Sequence, residues 1–190
     1  PTFSTTLAGA DSADFTLTSA GVLAFAATTD FEAPADDGTN NVYNITATIT
    51  DGTNTATQAI TITVTNENDN TPSFTSASAF SKAEGGTAVA TLTGTDTDGT
   101  TPTFSTTLAG ADSADFTLTA GGVLAFAATT NFESPADADT NNVYSITATI
   151  TDGDNTSTQA ITITVTDTND EAPVLSVSTP YSVAENTTAV

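Results

Sequence analysis

The strongest constraint on this chain is that it repeats itself. The run PTFSTTLAGADSADFTLT begins at Pro1 and again at Pro102, and Phe15, Phe31 and Pro72 recur as Phe116, Phe132 and Pro173, always 101 residues on. A fixed period without insertions means a tandem array of equal units. A unit of about a hundred residues can bury a core of its own, so the array is expected to be beads on a string more than a solenoid.

Within a period the signal is β. In VYSITATIT, Val143 to Thr151, the alternation puts Tyr144, Ile146, Ala148 and Ile150 on one face and Ser145, Thr147 and Thr149 on the other. After the turn DGDNTS, the run TQAITITVT places Ile161, Ile163 and Val165 inward, which predicts a hairpin. DFTLT and GVLAF form a second pair around Gly121 and Gly122; PTFSTTL, GTAVATLTG and Ser73 to Ala83 bring the count to about seven strands. No stretch has helical periodicity with caps, so the expected fold is all-β: tandem seven-stranded antiparallel sandwiches in a linear array. Phe3, Phe15, Phe25, Phe31 and their copies fall on strand parity and are assigned to cores.

The two stretches that end at Pro72 and Pro173, TNENDNTP and TDTNDEAP, separate the units. Residues 1–70 then form a unit lacking its first two strands, 71–171 a complete unit, and 172–190 the start of a third. Pro1 falls inside a repeat, so the sequence is expected to be a window on a longer chain.

Charge narrows the partners. Twenty-three acids face a single Lys82 and no Arg, a formal net charge of −22. Nucleic acid and anionic membranes are excluded as partners, and a cation is the natural one, though an acidic surface also serves solubility. There is no Cys, His or Met, hence no disulfide and no soft-metal ligation, and the usual general base is missing. No apolar run of about 18 residues offers a membrane span. Much of the apolar fraction is Ala, so each core is expected to be small, and a bound ion would matter to folding.

The acids are clustered by sequence. Each linker packs oxygen-bearing side chains before its proline: Asn66, Glu67, Asn68, Asp69 and Asn70 in one, Asp167, Asn169, Asp170 and Glu171 in the other. Calcium takes six to eight oxygen ligands at roughly 2.3 to 2.6 Å, and Asp, Glu, Asn and backbone carbonyls can supply them. Further acids recur in order: Glu84 and Glu185, Asp96 and Asp98 in TDTDG, Asp30 and Glu32 in DFE with Asn131 and Glu133 in NFE, and Asp51 and Asp152 in ITDG.

In this order the motifs resemble those of the cadherin repeats, in particular the cadherin-like repeats of large bacterial surface proteins. Members carry a Glu near the end of the first strand, a DxD after the second, a DRE-like triplet mid-domain, an AxD at the end of the sixth, and DxNDN before the next domain. The resemblance covers the full period and implies Greek-key, cadherin/immunoglobulin-like sandwiches whose joints bind Ca2+. Here Asn66 stands for the first Asp of DxNDN, Glu171 for its last Asn, and Asn131 for the Asp of the triplet. The implied function is a non-enzymatic, calcium-rigidified spacer or stalk in an extracellular adhesin or filament, with neighbouring repeats and other copies in a fibre as partners. An alternative is a module that binds carbohydrate or a copy of itself, including donor-strand assembly in which residues 172–190 of one subunit complete the head of another. Every acid is assigned to a joint motif, which argues against a pair of carboxylates hydrolysing glycosides. Thr-rich strands are read as exposed faces and not as an ice-binding plane, and the sequons at Asn44, Asn155 and Asn186 as chance matches in an Asn- and Thr-rich chain.

Overall fold

The computed structural model describes residues 1–176 and 182–186. The proposed start of a third unit, and the sequon at Asn186, lie partly outside these. The first repeat contributes strands β1 (Thr2–Phe3), β2 (Phe15–Leu17), β3 (Leu23–Phe25), β4 (Val42–Thr50) and β5 (Thr55–Thr63). The second contributes β6 (Ser73–Phe74), β7 (Ala79–Ala83), β8 (Ala88–Thr91), β9 (Gly94–Thr95), β10 (Thr103–Phe104), β11 (Phe116–Leu118), β12 (Val123–Phe126), β13 (Val143–Thr151) and β14 (Thr156–Thr166). The described helix amounts to two 3-10 turns, Ser12–Asp14 and Ser113–Asp115.

In the second repeat one sheet runs β10-β13-β14-β7 and the facing one β11-β12-β8, with β6 and β9 as a separate pair. The hairpin β13–β14 is in register from Thr151↔Thr156 to Val143↔Thr164. Its period of two turns Tyr144, Ile146, Ala148 and Ile150 inward against Ile161, Ile163 and Val165, with threonines outward. The hairpin turn is closed by Asp152, whose Oδ1 accepts the backbone N–H groups of Asp154 and Asn155, with Gly153 at φ 114°. β11 and β12 pair as expected around Gly122, which at φ 86° has room for no side chain: a Cβ there would stand 2.3 Å from the Leu92 carbonyl oxygen. Phe116, Phe126 and Tyr144 pack tilted and edge-on at 4.5 to 5.6 Å, and Phe15, Phe25 and Tyr43 repeat the cluster in the first repeat.

Two sequence expectations are corrected. The sandwich is not wholly antiparallel, because β7 joins β14 in parallel; alternation marks which face is buried, not which way a strand runs. Phe31 is not core: it is 36% exposed, while its copy Phe132 packs against the core of the second repeat.

The first repeat has the same plan with less cover. Its sheets are β1-β4-β5 and β2-β3, and Ile60, Ile62 and Val64 are only partly buried, whereas Ile161, Ile163 and Val165 are 0 to 1% exposed. Ile163→Ala should therefore cost about 3 to 4 kcal/mol, and Ile62→Ala at the equivalent place about half as much. Denaturant titration of the two variants checks the contrast, and equal costs would contradict the difference in packing.

Candidate metal centre

The linker between the repeats is clamped to the second repeat by its asparagines. The Asn70 backbone N–H and Nδ2 donate to the two oxygens of Asp98, both at 2.8 Å, and Asn66 Nδ2 donates to the Asp98 carbonyl at 2.8 Å. Asn68 Nδ2 reaches Asp154 Oδ2 at 3.1 Å, and Asn155 Nδ2 donates back to the Asn68 and Asn70 carbonyls at 3.2 and 3.0 Å. Asp98 sits in the turn after β9 and Asn155 in the β13–β14 turn, so the linker is held by both loops at one pole.

Onto this pole the first repeat delivers an acid. Glu32, Asp69 and Asp98, from the loop after β3, the linker and the second repeat, bring carboxylate oxygens within 4.8 Å of one another. Burial, and the charges of Asp98 and Asp69, raise the Glu32 carboxyl against the pull of its own backbone N–H. Burial also works to raise Asp98, yet the Asn70 side chain and backbone N–H hold it below the ordinary aspartate value. A cavity of about 100 Å³ opens beside them, with Asp30, Glu32, Glu67 and Asp69 on its wall.

Deeper in the same pole lies a second pair. Asp96 is 9% exposed; its Oδ1 accepts the Asp98 N–H at 2.8 Å, but its Oδ2 is buried without a hydrogen-bond partner. Asp152 Oδ2 is buried in the same unpartnered state. Burial raises the Asp96 carboxyl, and the charges of Asp98 and Asp152 add to it. Asp152 is held low by the Asn155 and Asp154 N–H groups against burial. A buried carboxylate oxygen with no donor costs more than a neutral polar group left alone.

Past the second repeat the arrangement recurs. Glu84, Glu133 and Asp167 lie within 4.8 Å of one another, as do Glu133, Asp170 and Glu171. Glu84, at the end of β7, accepts the Phe132 N–H on one oxygen and the Thr168 N–H at 2.9 Å on the other, tying the strand to the loop before β13 and to the following linker. The Glu133 carboxyl is lowered by its own backbone N–H but raised further by burial and by the charges of Glu84, Asp167 and Asp170.

Other expected residues are placed differently. Asp30 is turned back on its own loop, where Oδ1 accepts the Glu32 and Ala33 N–H groups. Asp51 closes the β4–β5 turn by accepting from Thr53 and Asn54. Asn169 is exposed, and Glu185, Asp30 and Glu67 are exposed and outside the acid groups found among the described residues.

The assignment of every acid to a joint is wrong for four of them. Asp11, Asp36, Asp112 and Asp137 are 2 to 4% exposed and serve backbone N–H groups inside their own repeats. Asp112 accepts from Ala138 and Ser145 at 2.7 and 2.6 Å, and Asp137 from Asn141 and Asn142 at 2.8 and 3.2 Å. These bonds pin the long loop that carries Glu133, with Asn142 Nδ2 donating to the Phe132 carbonyl. Sequence reasoning did not place Asp154 and Asn155 at the joint; Asn155 was noted only as a sequon, and their one signal toward the joint is that they directly follow the TDG motif.

No protein-family model matches this chain, and no curated protein matches it by sequence. Solved structures match by shape. Human protocadherin-24 EC1-2 superposes with a TM-score of 0.66 at 18% identity, over 88% of this chain and 82% of that one. Drosophila N-cadherin EC1-4 gives 0.63 at 17% identity, over 87% of this chain and 40% of that one, and mouse cadherin-23 EC22-24 gives 0.61 at 20%, over 88% and 53%. At such identities the likeness speaks for architecture alone, and the architecture is that of cadherin-type Greek-key β-sandwiches.

Proposed function

We propose that residues 1–70, 71–171 and 172–190 belong to consecutive cadherin-like modules of an extracellular adhesin or filament, and that calcium at the joints makes the array a stiff spacer. The observation that carries this reading is the pair of buried, donor-less oxygens on Asp96 and Asp152, next to carboxylates that arrive from both sides of one linker. A joint held by hydrogen bonds alone would give those oxygens donors. The donor set is all oxygen, which suits a hard cation such as calcium and not zinc or copper. Glu32, Asp69, Asp96, Asp98 and Asp152 would hold ions at the first joint, and Glu84, Glu133, Asp167, Asp170 and Glu171 at the second. When bound, the cation supplies charge neutralisation and a fixed coordination shell.

The chain's own residues do the rest. The asparagines of the linker set the distance between repeats, and Glu32 from one side and Asp98 from the other convert that distance into an angle. Without a cation the clustered charges repel and the joint loosens. A spacer of this kind holds a distal region away from a surface, and the motif order supports a bacterial-type adhesin engaged in attachment or matrix formation.

Small-angle scattering and thermal melting, each with calcium and with chelator, test the reading. Free calcium a hundredfold above its dissociation constant should stabilise by about 2.7 kcal/mol per site, a rise in melting temperature of roughly 10 to 20 °C for units of this size. The radius of gyration should distribute more broadly in chelator. Unchanged melting and unchanged scattering together would sink the spacer reading.

A further inference from the structure

We infer that each repeat carries a pocket for the side chain of a lysine on a partner protein, a primary ammonium on an unbranched alkyl stem, with Asp14 anchoring it in the first repeat and Asp115 in the second. In the second repeat the pocket lies between the end of β12, the 3-10 turn Ser113–Asp115 and the loop before β13. It measures about 110 Å³, and its counterpart in the first repeat about 120 Å³.

The shape follows from small residues set beside large ones. Phe126 and Tyr144, 5% and 2% exposed, make the floor, and the exposed Ala127, Ala128 and Ala136 stand around them. Alanine side chains are too short to close over two rings, so the gap stays open to solvent. At about 30 Å³ for a group the size of water, it takes roughly four such groups. That is the reach of a lysine side chain beyond its β-carbon.

One wall is a carboxylate without a partner. Among the described residues no N–H or O–H donates to the side chain of Asp115 or of Asp14, whereas Asp112 and Asp137 beside Asp115 each accept two backbone N–H groups. Burial raises the Asp115 carboxyl, and the charges of Asp112 and Asp137 add to it. A cation seated against Asp115 opposes all three effects. The chain's one basic side chain, Lys82, is half-buried in β7 and does not line the pocket, so the cation comes from another molecule. A net charge of −22 draws such a partner in.

The rest of the lining selects among cations. Calcium needs six to eight oxygens, and here alanine methyls and aromatic rings surround a single free carboxylate. An alkyl stem covers those methyls and rings with its methylenes, and aromatic faces attract an ammonium. The Tyr144 hydroxyl oxygen accepts the Ala136 N–H at 3.2 Å and keeps a lone pair for an ammonium proton; Tyr43 does the same with Ala35 at 3.3 Å. A guanidinium has five donors to satisfy, more than one carboxylate and one hydroxyl can serve. A free diamine needs a second anion at the mouth, where the second repeat has Asn131 and Ser134. Because the pocket recurs every 101 residues, a partner with several lysines gains from multivalency what one site lacks.

Titration of the isotopically labelled 190-residue chain with Nα-acetyl-lysine methylamide, followed by amide NMR shifts, tests the inference. Saturable shifts are expected at Ala127, Ala136 and Tyr144, and at Ala26, Ala35 and Tyr43, with a dissociation constant on the order of 1 to 10 mM. The norleucine analogue, which keeps the stem and lacks the charge, and diaminopentane should each bind about tenfold more weakly. Asp115→Asn should erase the second set of shifts and leave the first, and Asp14→Asn the reverse. No bond of the fold ends on either carboxylate, so both variants should melt within a few degrees of the parent. The shifts should be the same in calcium and in chelator, which separates this inference from the calcium reading of the joints. Absent shifts, equal binding of the norleucine analogue, or binding that survives in Asp115→Asn overturns the proposal. Tighter binding of diaminopentane would assign the pocket to free polyamines, and loss of the lysine shifts in calcium would assign it to the metal; either result overturns it too.

Discussion

Asp98→Ala should remove most of the rise in melting temperature that calcium gives at the first joint, on the order of 10 to 20 °C in the parent chain. Asp98 is the residue on which the two sides of the joint meet. Its carboxylate lies within 4.8 Å of those of Glu32 and Asp69 and also accepts two bonds from Asn70, so its loss takes away a ligand and the clamp that sets the linker. In chelator the sign differs. There the parent joint carries Glu32, Asp69, Asp96, Asp98 and Asp152 without compensation, and deleting one charge relieves repulsion while it costs the Asn70 bonds. The two effects oppose, so the variant in chelator should melt within a few degrees of the parent. Differential scanning calorimetry of both proteins in both buffers resolves the four values. A variant that keeps the full calcium response would show that the ion binds elsewhere, and one that melts far lower in both buffers would show Asp98 to be a structural acid of the second repeat. The second joint supplies the control, since Glu84, Glu133 and Asp167 are untouched and their part of the response should persist.

The parts of this fold that could be read from sequence are those governed by a short period. Tyr144, Ile146, Ala148 and Ile150 are buried because alternation on a strand leaves them no other face. The order of acid motifs along the chain likewise anticipated that Glu32, Asp69 and Asp98 would meet, and that Glu84 would sit with Glu133 and Asp167. What could not be read depends on partners that leave no mark in the sequence. Asp30 and Glu32 are two residues apart in one motif, yet Asp30 spends its oxygen on local N–H groups while Glu32 faces the joint. Asp112 and Asp137 bond to backbone N–H groups, and every residue but proline offers one. Their recurrence as Asp11 and Asp36 was visible, but repetition marks all residues of a tandem array alike. The parallel pairing of β7 with β14 was hidden for a similar reason, since a strand's alternation is the same in either direction.

Asp112→Ala should be among the most damaging single changes in the second repeat. Asp112 is 4% exposed, and each of its oxygens accepts one backbone N–H, from Ala138 on Oδ1 and Ser145 on Oδ2, at 26 and 33 residues' separation. It therefore fastens the long loop and the first turn of β13 to the 3-10 turn at Ser113–Asp115. Alanine leaves two donors in a site that excludes water; with about 1.5 to 3 kcal/mol for each bond to a charged acceptor, the loss is roughly 3 to 5 kcal/mol, or about 15 to 30 °C in melting temperature. Asp112→Asn separates charge from shape, because an amide keeps one acceptor and turns an N–H against the other donor, so it should recover at most part of the loss. The same loop carries Glu133, and the second joint should lose calcium response along with stability, while the first joint, built from Asp69, Asp96, Asp98 and Asp152, keeps its own as long as the repeat is folded. The equivalent Asp11 does the same work in the first repeat, where the N–H groups of Asn44 and Asp37 hold its carboxyl below the ordinary value. A lowered folded value means that its stabilisation is complete above the ordinary aspartate range and vanishes as pH falls through the lowered one. Asp11→Ala should accordingly lower the first repeat's melting transition at neutral pH and flatten its dependence on acid, leaving the second repeat's transition in place. If Asp112→Ala costs under 1 kcal/mol by urea titration, the loop is held by other contacts and the two carboxylates are not its anchors.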